Sequence, residues 1–230
     1  MTPPFMRISF LSRGTGASAV ERAAYRHATR MERDTGEPTR NYAGKADELK
    51  HSEILIPQNA PAWAVQAYGE AAFADAFAQA IAAGQARSVA ERAAWARLSE
   101  RLWQDIERVE TEQNRKPSHA RLAWEAEAVL PKVLSGSGRL RLVRAWSREA
   151  FGDHGTVVDC VVRDAGNGRP RAFLMLPTRP LSSDGWGPKN RQHGRWNWIH
   201  WLRTAWTRHV TLALERECPG TAAGPQGSPR

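Results

Sequence analysis

The sequence predicts an α+β sandwich, a sheet that is at least partly antiparallel with helices packed on one face. Three observations carry that prediction. Strand-like and helix-like segments alternate along the 230 residues in the order β, α, β, helical stretch, β, α, β, β, α. The last two strands are joined by a turn containing Asn167–Gly168, which marks a hairpin. Hydrophobic residues make up 41% of the chain and ten residues are tryptophan, enough to build a core and to exclude wholesale disorder.

Residues 5–12, FMRISFLS, read as the first strand, closed by the Gly-containing break at 13–16. Ser18 is placed to cap a helix, and 19–33, AVERAAYRHATRMER, is rich in helix formers. After a polar loop, SEILIP reads as a second strand ending at Pro57. The stretch from 61 to about 115, rich in Ala, Glu, Arg and Gln, reads as two helices broken near Gly84. ARLAWEAEAVLP, 120–131, is taken as a strand with Leu122, Trp124 and Ala126 on one face. A helix over 139–151, strands over 155–163 and 171–177, and a closing helix over 195–217 complete the order. Residues 1–217 then form one domain with 61–115 as a helical elaboration, and 218–230 read as a disordered tail.

The formal charge is +9 and the pI near 10.3, which favours an anionic partner, nucleic acid before a membrane surface. Cys160 and Cys218 form no metal or disulfide pattern and fit a reducing compartment. No apolar run suits a signal peptide or approaches the roughly 18 residues that span a bilayer. The expectation is a soluble, cytoplasmic protein.

Four segments hold residues suited to chemistry. In SAVERAAYRHATR, Tyr25 lies on a helix with Arg22, Arg26 and Arg30, so its hydroxyl can meet a phosphate; an amphipathic helix with a packed tyrosine is the plainer reading. Glu125 and Glu127 are two apart on a strand and share a face, either to hold a cation or serve as a base, or as a solvated strand face. In GWGPKNRQHGRWNWIHWLRTAW, Trp and Arg interleave as they do where bases stack and phosphates are clamped. Trp198, Trp201 and Ala205 also recur at helical spacing, so packing explains several of these rings and the stretch reads as a mixture, with Trp186, Lys189, Asn190 and Arg191 the better binding candidates. Finally, the hairpin carries Arg163 at the end of one strand and Arg171 at the start of the next, either a phosphate site or a basic rim.

Taken together, these segments resemble the MobA/MobL family of plasmid relaxases over nearly the whole chain. SAVERAAYR is similar to the family's Ser-Ala-Val…Ala-Ala-Tyr-Arg helix, and HSEIL, ARLAWEAEAVLP, VDCVVRDAGNGRPRAFLMLPTRPL and GWGPKNR follow in the family's order. The resemblance implies a central, mostly antiparallel five-stranded sheet. It further implies an endonuclease and strand transferase of plasmid mobilisation, nicking one strand of single-stranded or hairpin transfer-origin DNA. Tyr25 would be the nucleophile, Glu125 and Glu127 catalytic, and accessory mobilisation proteins possible partners.

The hairpin departs from the family's pattern. The family holds a divalent metal, Mn or Mg, on three histidines there, and these positions read Arg163, Arg171 and Phe173 here. Arginine stays protonated and cannot ligate a metal, but it can bind phosphate oxygens with two donors. Two readings stay open: guanidinium groups stand in for the metal, or cleavage is lost and a DNA-binding scaffold remains. His51, His154, His193 and His200 are not assigned as ligands.

Overall fold

The computed structural model describes residues 5–113, 116–166, 169–190 and 195–218. Five strands build one sheet: β1 (Met6–Ser12), β2 (Leu49–Leu55), β3 (Arg121–Val129), β4 (Val158–Arg163) and β5 (Arg171–Pro177). Their order is β1-β3-β5-β4-β2 and every neighbouring pair is antiparallel, as the resemblance implied. The β4–β5 hairpin sets Arg163 directly opposite Arg171, and Val161 opposite Phe173. Leu181–Ser182 (β6) and Gly185–Trp186 (β7) form a separate small ribbon.

The helices are α1 (Ala19–Arg26), α2 (Ala62–Tyr68), α3 (Glu70–Ala82), α4 (Arg87–Glu112), α5 (Gly136–Ala150) and α6 (Trp196–Glu217). They cover both faces of the sheet, where the sequence reading had placed them on one. On one side Leu11, Ile54, Ala123 and Met175 pack against α1, α2 and α4. On the other, Trp124, Ala126, Ala128, Cys160, Ala172, Leu174 and Leu176 pack against α5 and α6. Strand residues alternate between faces, so strands with apolar residues at odd and even positions need cover on both.

Leu122 was expected to share a face with Trp124 and Ala126. It packs instead in the α1–α4 cluster beside Ala123. The pairing shifts between Leu11 and Ser12, so Leu122 is the extra residue of a bulge and the alternation resets there. Among the described residues the 61–115 stretch holds three helices rather than two, because the chain also breaks at Gly69. A Cβ at that position would lie 2.5 Å from the Val65 carbonyl oxygen, so only glycine fits so close a turn. On α6, Trp206 is fully buried with Leu202, Ala205 and Val210, whereas Trp201 is 37% exposed. Among the described residues no helix is long and apolar enough to cross a membrane.

α1 is shorter than its propensity suggests, and a buried contact is the reason. Helix formers continue to Arg33, yet α1 ends at Arg26 and Ala28 turns left-handed with φ 51°. That conformation costs a non-glycine residue about 1–3 kcal/mol. It frees His27 to point into the core, where its Nε2 meets Asp159 Oδ1 at 2.8 Å. Asp159 also accepts from Ser99 Oγ at 2.6 Å and Trp103 Nε1 at 2.7 Å, both on α4. Burial alone would raise its pKa, but the charge and hydrogen bond of His27, with the bonds from Ser99 and Trp103, hold the carboxyl below its ordinary value.

Asp159→Ala is therefore expected to cost about 3–5 kcal/mol in urea unfolding, because it strands three buried donors at once. The folded pKa lies below the unfolded value of about 3.9. The carboxylate's contribution is thus complete above that value and is lost as pH falls through the folded one. Equal acid sensitivity in the unmodified protein and Asp159→Ala would contradict this account.

Candidate active site

α1 is held at both ends. At its start, Glu107 of α4 accepts from Ser18 Oγ (2.8 Å) and from the free backbone N–H groups of Ala19 (2.5 Å) and Val20 (3.2 Å), while Ser18 Oγ caps Glu21 N at 3.2 Å. A carboxylate on these donors suits the positive end of the helix. At its end, consecutive side chains go to different places. Arg26 and His27 turn down onto the sheet, and Tyr25 stays half-buried at the rim.

Arg26 is buried, with its NH2 2.5 Å from Glu125 Oε1 and its guanidinium 4.7 Å above the centre of the Phe173 ring. Burial pushes its pKa down and Glu125 opposes that shift, so the guanidinium stays charged. Arg22 reaches the same Glu125 oxygen from one turn earlier, at 3.4 Å. Arg171 pairs with Glu127, and Arg163 with Glu48 at 2.8 Å. The two arginines that stand opposite each other across the hairpin thus each hold a separate carboxylate, which removes the repulsion between them.

Tyr25 sits among cations. Arg163 donates to its carbonyl at 3.4 Å and lies 5.2 Å from its ring centre. Lys45, on the 3-10 turn Ala43–Glu48, donates to its hydroxyl at 3.2 Å. The hydrogen bond from Lys45, aided by the charges of Lys45 and Arg163, holds the phenol below its ordinary pKa against the opposing effect of burial. A cavity of about 260 Å³ opens beside the ring, between Ser18, Arg22, Arg33 and Tyr42.

The fold therefore brings together Tyr25, Arg22, Arg26, Glu125, Glu127, Arg163 and Arg171. Glu125 and Glu127 do share a face, and arginine holds both. Trp186, Lys189 and Asn190 lie elsewhere, at the opposite end of β5 from Arg171. Trp186 packs on Trp63 and Tyr68, Lys189 binds buried Glu110 at 2.6 Å, and the Asn190 amide donates to Thr178. Arg191 lies outside the described residues. Lys45 and Glu48 were missed: they fall in a polar loop with no periodicity to mark them.

The residues at the family's metal positions do not fit a metal. Arg163 and Arg171 offer protonated nitrogens, and Phe173 offers a ring already covered by a cation. Among the described residues histidines do not make good the loss. His51 Nε2 lies 3.3 Å from Glu53, which Arg144 of α5 also holds, so it lies on the sheet face away from Tyr25. His154 rests on Trp201 and His200 stacks on Trp196, while His193 lies outside the described residues. Among the described residues no group of three His, Cys, Asp or Glu is placed to hold an ion.

Comparison with known proteins gives the family and the fold. The MobA/MobL family model matches residues 17–215. The chain is 34% identical over 189 residues to a probable conjugal transfer protein TraA of Sinorhizobium fredii, covering 82% of this chain and 14% of that protein. A conjugal transfer protein TraA of Agrobacterium fabrum is 32% identical over 181 residues, covering 79% and 14%. The chain thus spans only a small part of the length of these curated relatives. A solved structure described as the molecular basis of vancomycin resistance transfer in Staphylococcus aureus matches with a TM-score of 0.69. It is 19% identical with 99% of both chains covered, a likeness that shows the fold.

Arg26→Ala leaves Glu125 buried with only the longer Arg22 contact. It is expected to lower stability by about 3 kcal/mol, near the lower end of the cost of breaking a buried pair. Arg171→Ala, with a side chain 40% exposed, should cost under about 1 kcal/mol. Chemical unfolding of both variants checks the contrast, and equal losses would refute it.

Proposed function

The chain belongs to the MobA/MobL family, and from that premise we propose that it is a relaxase domain of conjugative DNA transfer. It binds transfer-origin DNA as a single strand or hairpin and nicks one strand through Tyr25, without a divalent metal. The observation that carries this reading is the Tyr25 hydroxyl, half-buried at a rim of cations and held by Lys45.

The residues divide by exposure. Arg22 and Arg171 have side chains 42% and 40% exposed and are the groups that meet phosphate oxygens. Arg26 and Arg163 are buried, and they set the positive potential and hold α1 in place. In the reaction, the phenolate oxygen of Tyr25 attacks phosphorus, the bond to the 3′ oxygen breaks, and the 5′ phosphate remains on the tyrosine. Fixed guanidinium groups near the transferring phosphoryl stabilise its charge without reorganising. Glu125 and Glu127, each bound by arginine, position those cations rather than remove a proton.

The same arginine-bound carboxylates favour a second reading, in which no base remains and the domain only binds origin DNA. One experiment separates the two. On a single-stranded oligonucleotide carrying the cognate origin, the unmodified protein should form a covalent adduct on a denaturing gel, and Tyr25→Phe should form none. The adduct should persist in EDTA, and Mn²⁺ should not accelerate it. Affinity should fall steeply with added salt as bound phosphates release counterions. Binding without any adduct would leave the second reading, and chelator-sensitive nicking would overturn the metal-free one.

A further inference from the structure

Lys45 differs from the other cations around Tyr25. Arg22 and Arg26 bind Glu125, Arg163 binds Glu48 and Arg171 binds Glu127. Among the described residues Lys45 makes no salt bridge, and its Nζ lies 3.2 Å from the Tyr25 hydroxyl oxygen and 4.6 Å from the ring centre. Local structure holds it there. Its amide donates to the Tyr42 carbonyl at 3.0 Å, and the Tyr42 amide donates to Thr29 at 3.3 Å, just beyond the end of α1. The Tyr42 ring stands edge-on to Tyr25 at 5.3 Å.

The other charged groups near the phenol are committed elsewhere. Glu21, on the same helix, accepts from the Tyr42 hydroxyl at 2.6 Å and from Arg33 at 3.0 Å. Glu48, on the Lys45 turn, is taken by Arg163. Arg22 lines the adjoining cavity and leans on Glu125. Lys45 alone in this group puts an uncompensated charge on the oxygen that would react.

We propose that Lys45 is a catalytic residue, its ammonium holding the Tyr25 oxygen as the attacking phenolate and then facing the phosphoryl oxygens as the new bond forms. The inference rests on the nicking reading above. In the step, the phenol first gives its proton to water. The Oη–P bond forms, the P–O3′ bond breaks, and water returns a proton to the 3′ oxygen. Lys45 keeps its protons throughout, so it acts as fixed charge beside the reacting oxygen.

The chain has three tyrosines, and their surroundings separate them. Tyr25 is shifted down, first by the Lys45 hydrogen bond. Tyr42 is shifted up by its bond to Glu21, and Tyr68 by burial and its bond to Asp105. Tyr25 should therefore ionise first as pH rises, giving a readout that needs no DNA.

Ultraviolet titration of the phenolate band should show one early tyrosine in the unmodified protein and none in Tyr25→Phe. Lys45→Met should move that step to higher pH, and Lys45→Arg should keep most of it. Lys45→Met should also slow adduct formation at neutral pH roughly 10²-fold, the typical cost of removing one such donor. The rise of its rate profile should move to higher pH, while oligonucleotide affinity changes far less. An early tyrosine unmoved by Lys45→Met, or adduct formed by that variant at the unmodified rate, overturns the inference alone. An unmodified protein that forms no adduct overturns the nicking reading and the catalytic role with it, whatever the titration gives.

Discussion

Arg26 and His27 are adjacent in sequence and both leave α1 for the sheet, Arg26 to Glu125 on β3 and His27 to Asp159 on β4. Because β5 lies between those strands, the two contacts pin the last turn of the helix across three strands. Tyr25 precedes the pair on a helix whose residues are 100° apart, so anchoring Arg26 and His27 inward leaves Tyr25 at the rim. The anchor also explains why α1 stops where it does and why Ala28 accepts a left-handed backbone. Helix length, sheet attachment and the direction of the tyrosine all follow from one buried pair of contacts.

The same contacts account for the hairpin. Two arginines facing each other across a strand pair would repel, and a bare phenylalanine between sheet and helix would bind nothing. Here Glu48 and Glu127 take one arginine each, and Phe173 forms the floor under Arg26. A cation over an aromatic face is worth about 2 kcal/mol or more when desolvated, which offsets part of the cost of burying Arg26. Positive charge thus remains at the end of the sheet where the family's histidines would hold an ion. It is spread over several groups, each with directional donors, instead of concentrated on one metal.

The opposite end of the sheet has its own buried charges. Glu110 is fully buried and binds Arg179 at 2.6 Å and Lys189 at 2.6 Å. That network ties α4 to the segment after β5 and occupies a lysine that composition alone marks as available for phosphate. A basic residue in a loop is free or committed according to which carboxylate the fold brings near it, and spacing along the chain does not carry that information.

Local patterns were enough for the strands, the hairpin and the shared face of Glu125 and Glu127, because a period of two along a strand needs no knowledge of its neighbours. They were enough also to place Tyr25 among arginines, since a helical turn brings Arg22 beside it. What packs on each face, and so the cover on both, came only with the tertiary structure. The end of α1 was out of reach because helix propensity extends to Arg33, and only Asp159, 132 residues downstream, turns His27 inward. Lys45 was equally hidden: nothing about a lysine in a polar loop predicts its ammonium on a phenol 20 residues away. Periodicity is a local property and is written in the sequence, whereas the pairing of charges distant along the chain exists only once the sheet has assembled.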